Sequence, residues 1–164
     1  MAILYVMCGV PDSGKSTWAR EHLTDNDVYV SRDDIRFSFL KEGDDYFAKE
    51  DMVWDTFVKS INEALEMGYN VFADATHINP GSRRKLLNAL KFKEGIDVRV
   101  IHVDTPIAET LARNELRKGT NRYVPTSVIK RMAHQFEEPM LSEGFSTIYT
   151  IRPHTKIEVR KETV

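Results

Sequence analysis

Gly9-Val10-Pro11-Asp12-Ser13-Gly14-Lys15-Ser16, followed by Thr17, is the stretch on which the fold turns. It matches G-x-x-x-x-G-K-[ST] at every fixed position, the signature of a glycine turn that cradles phosphate groups between a strand and a helix. The flanks supply that context. Ala2 to Cys8 is a continuous apolar run ending at Gly9, as expected of a central parallel strand covered on both faces. A helix is expected from near Lys15 to about Leu23. Glycine at positions 9 and 14 lets the backbone come close where a Cβ would obstruct, so successive N–H groups can point at phosphate oxygens. The helix N-terminus adds a partial positive charge.

Outward from this turn, short strands and helices alternate. Asp27 to Val30 reads as a strand, and Ser31 as an N-cap with Asp34 three residues on, opening a helix to about Leu40. Between Tyr46 and Met67, Trp54, Phe57, Val58, Ile61 and Leu65 recur at helical spacing, and Gly68 is the stop. Asn70 to Ala75 is a third strand with Asp74 at its end, Pro80 to Lys93 a helix, and Asp97 to Val103 a fourth strand. Thr105 and Pro106 cap a helix to Lys118, with Pro106 at the first helical position. Lys118 to Tyr123 is basic and glycine-bearing, a mobile connection, and Pro125 starts a helix with Val128, Met132 and Phe136 on one face. Ser146 to Arg152 is a further strand, and the alternating Thr155 to Val159 adds an edge strand. This order predicts an α/β three-layer sandwich of about five mostly parallel strands. The connections at Gly9, Ser31, Asp74 and Asp104 should then face one cleft at the carboxyl ends of the strands.

The chain of 164 residues fits one domain, and 41% hydrophobic with 29% charged residues is ordinary for a globular protein. A net charge of -2 and a pI near 6.2 argue against a broad nucleic-acid surface, so any such role rests on a local cluster. The single cysteine, Cys8, excludes an internal disulfide, and the five histidines show no zinc-binding spacing. The opening MAILYVMCGV lacks a basic leader and runs into the glycine turn, and no apolar stretch is long enough to span a membrane. A cytoplasmic location is the expectation.

The loop predicts ATP with Mg²⁺. Gly9, Val10, Pro11, Asp12, Ser13, Gly14, Lys15, Ser16 and Thr17 form the expected nucleotide site, Lys15 reaching the β- and γ-phosphates and the Ser16 hydroxyl ligating the metal. Asp12 is electrostatically unfavourable beside a polyphosphate unless it points outward. No Asn-Lys-x-Asp guanine-reading string occurs, which weakens a switch protein against a kinase. A kinase needs a base for the acceptor alcohol and cations for the transferred charge. Asp33 in SRDDIR is free if Asp34 serves the cap, and Arg36 falls on its helix face; Asp33 could equally serve only the helix dipole. Arg113 and Arg117, four apart, could close over the phosphates, or could form a solvated face with Glu109 pairing Arg113. Asp74 and His77 in DATH are second-rank candidates for organising metal water or acceptor.

GVPDSGKSTWARE, SRDDIR, ATHINP followed by Arg83 and Arg84, and ARNELRKGT leading to Val124 and Pro125 together resemble the kinase domain of phage T4-type polynucleotide 5′-kinase, over about Ile3 to Met132. The resemblance implies that Asp33 is the general base for a 5′-hydroxyl, that Arg36 grips the acceptor's phosphate, that Arg117 contacts the donor phosphates, and that Thr76 lies on the acceptor side. It also implies a mobile lid around Arg113 to Arg131 and a DNA or RNA 5′ end as acceptor. Asp12 stands where that pattern has glycine. A kinase of a nucleoside, sugar or antibiotic, and a nucleotide-binding module without turnover, are the alternatives.

Overall fold

The computed structural model describes residues 1–91 and 94–162. Its strands are Ala2–Cys8 (β1), Asp27–Ser31 (β2), Asn70–Asp74 (β3), Ile96–Val103 (β4), Thr147–Ile151 (β5) and Glu158–Lys161 (β6), in the sheet order β2-β3-β1-β4-β5-β6. The apolar opening run is central. It pairs in parallel with β3, Met7 opposite Asp74, and with β4, Cys8 opposite His102. β2 extends the sheet parallel to β3, and β5 parallel to β4. The five parallel strands are joined by the expected edge strand, β6, which closes the sheet antiparallel to β5. It begins three residues later than the alternation at Thr155 suggests: Pro153 offers no N–H, and His154 at φ 57 reverses the chain, so pairing resumes only at Glu158 opposite Thr150.

Helices occupy Lys15–His22 (α1), Arg32–Phe39 (α2), Glu50–Glu66 (α3), Pro80–Ala89 (α4), Ile107–Glu115 (α5) and Thr126–Gln135 (α6). α3 starts at Glu50 instead of Tyr46, because Tyr46 and Phe47 leave the helix to pack their rings on Arg36. Gly68 stops it in the left-handed region at φ 86, with Tyr69 N–H donating to Ala64 at 3.0 Å. Pro106 and Pro125 are N-caps and not first helical residues; both keep extended ψ, and their carbonyls accept the first bonds from Thr110 and Ile129. α4 ends at Ala89, short of the expected Lys93, because Leu90 turns to extended backbone at ψ 131 and its N–H donates to the Leu87 carbonyl; Lys93 itself lies outside the described residues.

Side-chain alternation along β1 divides the core. Leu4, Val6 and Cys8 face Phe57, Ile61 and Leu86 from α3 and α4 together with Phe145, whereas Met7 faces Ala19 of α1, Phe72 and Ile101. The second group is the smaller cluster, around Met7 and Phe72. Both faces being buried explains an uninterrupted apolar strand, and this rigid centre holds the glycine turn at the sheet's carboxyl edge. Among the described residues no helix is long and apolar enough to cross a membrane.

Candidate active site

The connections following the first five strands surround a cleft of about 870 Å³. Its floor is the glycine turn. Gly9 and Gly14 have φ of 154 and 100. A Cβ on Gly9 would lie 2.7 Å from Ser13 Oγ and 2.8 Å from the Val103 carbonyl, and one on Gly14 would lie 2.9 Å from Arg113 Nη1. The turn is tied from behind: Gly9 N–H donates to the Thr76 carbonyl at 3.0 Å, and Thr105 Oγ1 donates to the Ser13 carbonyl at 2.7 Å. Lys15 Nζ crosses the loop to the carbonyls of Gly9 and Val10 at 2.9 and 3.0 Å.

The backbone N–H groups of Asp12, Gly14, Lys15, Ser16 and Thr17 have no protein acceptor among the described residues, and all five residues line the cleft. Arg20, Arg113, Arg117, Arg122 and Arg152 line it too. A ring of unpaired donors at a helix start, bordered by guanidinium groups, fits a triphosphate. For Mg²⁺ the chain offers the Ser16 hydroxyl and Asp74; the described residues hold no group of three metal-binding side chains, as suits an ion that takes most of its ligands from phosphate and water. Asp74 accepts a hydrogen bond from Tyr29 Oη. Burial pushes its carboxyl up, against the pull of Lys15 and the Tyr29 bond.

Asp33 stands where this cleft meets a second, small pocket of about 100 Å³, and lines both. Ser31 caps α2 by accepting from Asp34 N–H at 3.1 Å, which sets Asp33 in the first turn. One Asp33 oxygen, Oδ1, is held by Arg36 and by Tyr46 Oη, the latter at 3.0 Å. The other, Oδ2, has no hydrogen-bond partner among the described residues, and the side chain is 45% exposed. Arg36 is itself fixed. Its side chain is 6% exposed, donates to Glu50 through Nε at 2.8 Å, and lies against the Tyr46 ring. Burial works against its charge, and Tyr46, Asp33 and Glu50 more than offset that.

The other predicted residues separate. Arg113 and Arg117 both line the cleft, but only Arg113 is on α5; Arg117 sits in the turn beyond its end. Arg113 pairs with Glu109 at 2.8 Å, as its spacing allowed, and Arg117 pairs with Asp12 at 2.9 Å. Asp12 does not point outward: its side chain is 1% exposed, turned in against Arg117. Thr76 lines the small pocket with Arg36. His77 lines neither, and is buried behind the loop with Nδ1 2.6 Å from the Met7 carbonyl. Tyr46, Glu50 and Arg152 carried no sequence signal for the site, and Arg122 only as part of the basic Lys118 to Tyr123 stretch, because their places in it depend on contacts between distant segments.

Burial lowers the His77 pKa to about 4, against the Met7 hydrogen bond, so the folded imidazole is neutral where the unfolded one would be charged. The unfolded state then binds more protons between about 6.5 and 4, and the fold loses stability as pH falls through that window. The expected loss is on the order of 3 kcal/mol at the low end. Asparagine tolerates the left-handed φ of 44 at this position and keeps a donor for Met7, so denaturant melts should show a shallower acid slope for His77→Asn than for the parent. Equal slopes would remove His77 as the titrating group.

Fold and site together define a P-loop kinase-type domain, with a nucleotide cradle facing a carboxylate from the second strand's helix. A family model described as an AAA domain, AAA_33, matches residues 4–139, and the chain belongs to that family. It is 31% identical over 144 residues to L-seryl-tRNA(Sec) kinase of Methanococcus maripaludis, covering 84% of this chain and 53% of that one. The chain thus spans about half the length of this relative. A chain of the Pnkp1/Rnl/Hen1 RNA repair complex superposes with TM-score 0.68 at 29% identity, over 82% of this chain and 43% of that one. Kti12 of Chaetomium thermophilum, in complex with ADP-AlF3, shares the fold with TM-score 0.67 at 17% identity, over 92% of this chain and 89% of that one.

Proposed function

We propose that this domain transfers the γ-phosphoryl group of ATP to a 5′-hydroxyl end of DNA or RNA. The observation that carries the reading is the position of Asp33, one oxygen locked by Arg36 and Tyr46 and the other free, between the phosphate cleft and the small pocket. In the transfer, Asp33 takes the proton of the hydroxyl as its oxygen attacks the γ-phosphorus. The bond from that phosphorus to the β–γ bridging oxygen breaks, and ADP leaves. Lys15, the loop N–H groups and Arg117 hold the charge on the transferred group. Ser16 and Asp74 would hold Mg²⁺, which would add further neutralisation of the phosphate charge.

The small pocket of about 100 Å³ beside Asp33 has room for an acceptor hydroxyl. Arg36, buried and held by Glu50 and Tyr46, orients Asp33 towards the acceptor, with Thr76 beside it in the small pocket. The RNA repair complex among the structural relatives supports a nucleic-acid acceptor. A second reading, an alcohol carried on aminoacylated tRNA, draws on the relative named for L-seryl-tRNA(Sec).

Labelled ATP offered with a 5′-hydroxyl oligonucleotide, a 3′-mononucleotide, free nucleosides, small sugars and seryl-tRNA separates these readings. Label on the oligonucleotide, lost in Lys15→Ala, is the expected result. Label on seryl-tRNA alone favours the second reading, and label only on a small alcohol overturns both.

A further inference from the structure

Asp12 breaks two local rules at once. It holds φ 63, a conformation that glycine adopts freely, and it buries a carboxylate in a cradle built for phosphate. A residue tolerated only for its backbone would turn its side chain to water. Here the carboxylate is 1% exposed, its Oδ1 lies 2.9 Å from Arg117 Nη1, and that contact lacks the angles of a hydrogen bond. The Asp12 carbonyl accepts from Arg113 Nη1 at 3.4 Å, so one loop residue touches both Arg113 and Arg117.

The two partners differ in freedom. Asp12 belongs to a loop tied to Thr76 and Thr105, whereas Arg117 follows the end of α5, with a side chain 46% exposed. Arg117 also has donors to spare. A guanidinium carries five N–H groups, and only Nη1 meets a partner among the described residues. Departure of Arg117 would leave a buried carboxylate uncompensated beside incoming phosphates, an arrangement far less stable than the pair. Burial pushes the Asp12 carboxyl up, and Arg117 and then Lys15 pull it only part of the way back.

We propose that Asp12 is a positioning residue for phosphoryl transfer: its carboxylate fixes Arg117 over the phosphate loop and leaves the remaining guanidinium donors for the transferred group. This rests on the kinase reading above but not on the identity of the acceptor. The competing role is a latch, in which Asp12 merely occupies Arg117 until ATP displaces it. The two roles predict opposite results. Positioning makes Asp12 necessary for turnover; a latch makes it an inhibitor of ATP binding.

The test compares Asp12→Asn, Asp12→Gly, Arg117→Ala and the Asp12→Asn/Arg117→Ala double variant, with thermal melts to establish folding. Asparagine and glycine both accept the left-handed backbone, so the loop itself is kept. ATP affinity is read from the fluorescence of Trp18, which lines the cleft. Turnover is read both as transfer to a 5′-hydroxyl oligonucleotide and as slow ATP hydrolysis without acceptor. Asp12→Asn and Asp12→Gly should lower kcat roughly 10- to 100-fold, the scale of a misplaced catalytic group, with little change in ATP affinity. The effect should vanish when Arg117 is already alanine. Tighter ATP binding with unchanged or higher kcat in Asp12→Gly, or additive losses in the double variant, overturns the proposal. Should the oligonucleotide accept no phosphate while ATP hydrolysis still shows the coupled loss, the acceptor assignment fails and the role of Asp12 stands.

Discussion

Asp33→Asn should lower phosphoryl transfer by about 10²- to 10⁴-fold, the range for loss of a general base, while ATP affinity changes little. The separation follows from where Asp33 sits. Its Oδ2 is unpartnered, it belongs to α2 and not to the glycine turn, and the loop N–H groups and Lys15 do not depend on it. Asparagine keeps an oxygen for Tyr46 Oη and loses only the charge and basicity. Arg36 stays anchored, because Glu50 holds it through Nε and Nη2 at 2.8 and 2.6 Å, so the fold is expected to survive. Steady-state kinetics beside thermal melts read both halves of the expectation. A change of only a few-fold in turnover would reduce Asp33 to a partner of the helix dipole, whose worth is about 0.3 to 1 kcal/mol of stability.

Arg83→Met should have the largest effect on stability. Arg83 is wholly buried, donates through Nε and Nη2 to Glu143 at 2.8 and 3.1 Å, and through Nη1 to the His77 carbonyl at 2.7 Å. It joins α4, the chain behind the glycine turn and the short 3-10 turn Leu141–Glu143 that precedes β5. Removing the guanidinium strands Glu143, whose side chain is 12% exposed, and a broken buried pair costs about 3 to 5 kcal/mol. For a chain of this size that is a fall in Tm of roughly 6 to 20 °C. Arg83→Met with Glu143→Leu should recover much of it, since two apolar residues leave no charge behind. A single variant that melts with the parent would show that solvent reaches this pair.

Local rules carried much of the fold. The apolar run before Gly9 could satisfy its backbone only as a central strand, and the Ser31–Asp34 cap appears as the spacing required. The second half of that capping box does not form, because the Asp34 carboxylate turns away to Arg122 at 2.8 Å and Arg20 at 3.7 Å. Such departures share a cause. Tyr46 and Phe47 read as helix by pattern, but the charge of Arg36 draws their rings out of it. Asp12 read only as a carboxylate unfavourable beside phosphate, because its partner, Arg117, is distant in sequence and outside regular structure. His77 suggested chemistry by type, and burial made it a neutral strut. Single-residue signals and periodicities were legible; contacts between irregular segments far apart in the chain were not.

The central claim is that a triphosphate lies in the glycine turn while Asp33 faces the attacking alcohol. A crystal structure with Mg²⁺, a non-hydrolysable ATP analogue and a 5′-hydroxyl oligonucleotide tests it most directly. The terminal oxygen is expected within about 2.6 to 3.2 Å of Asp33 Oδ2, with the γ-phosphate between it and Lys15. An acceptor end bound on the Arg152 side of the cleft, with Asp33 meeting only water, would contradict it.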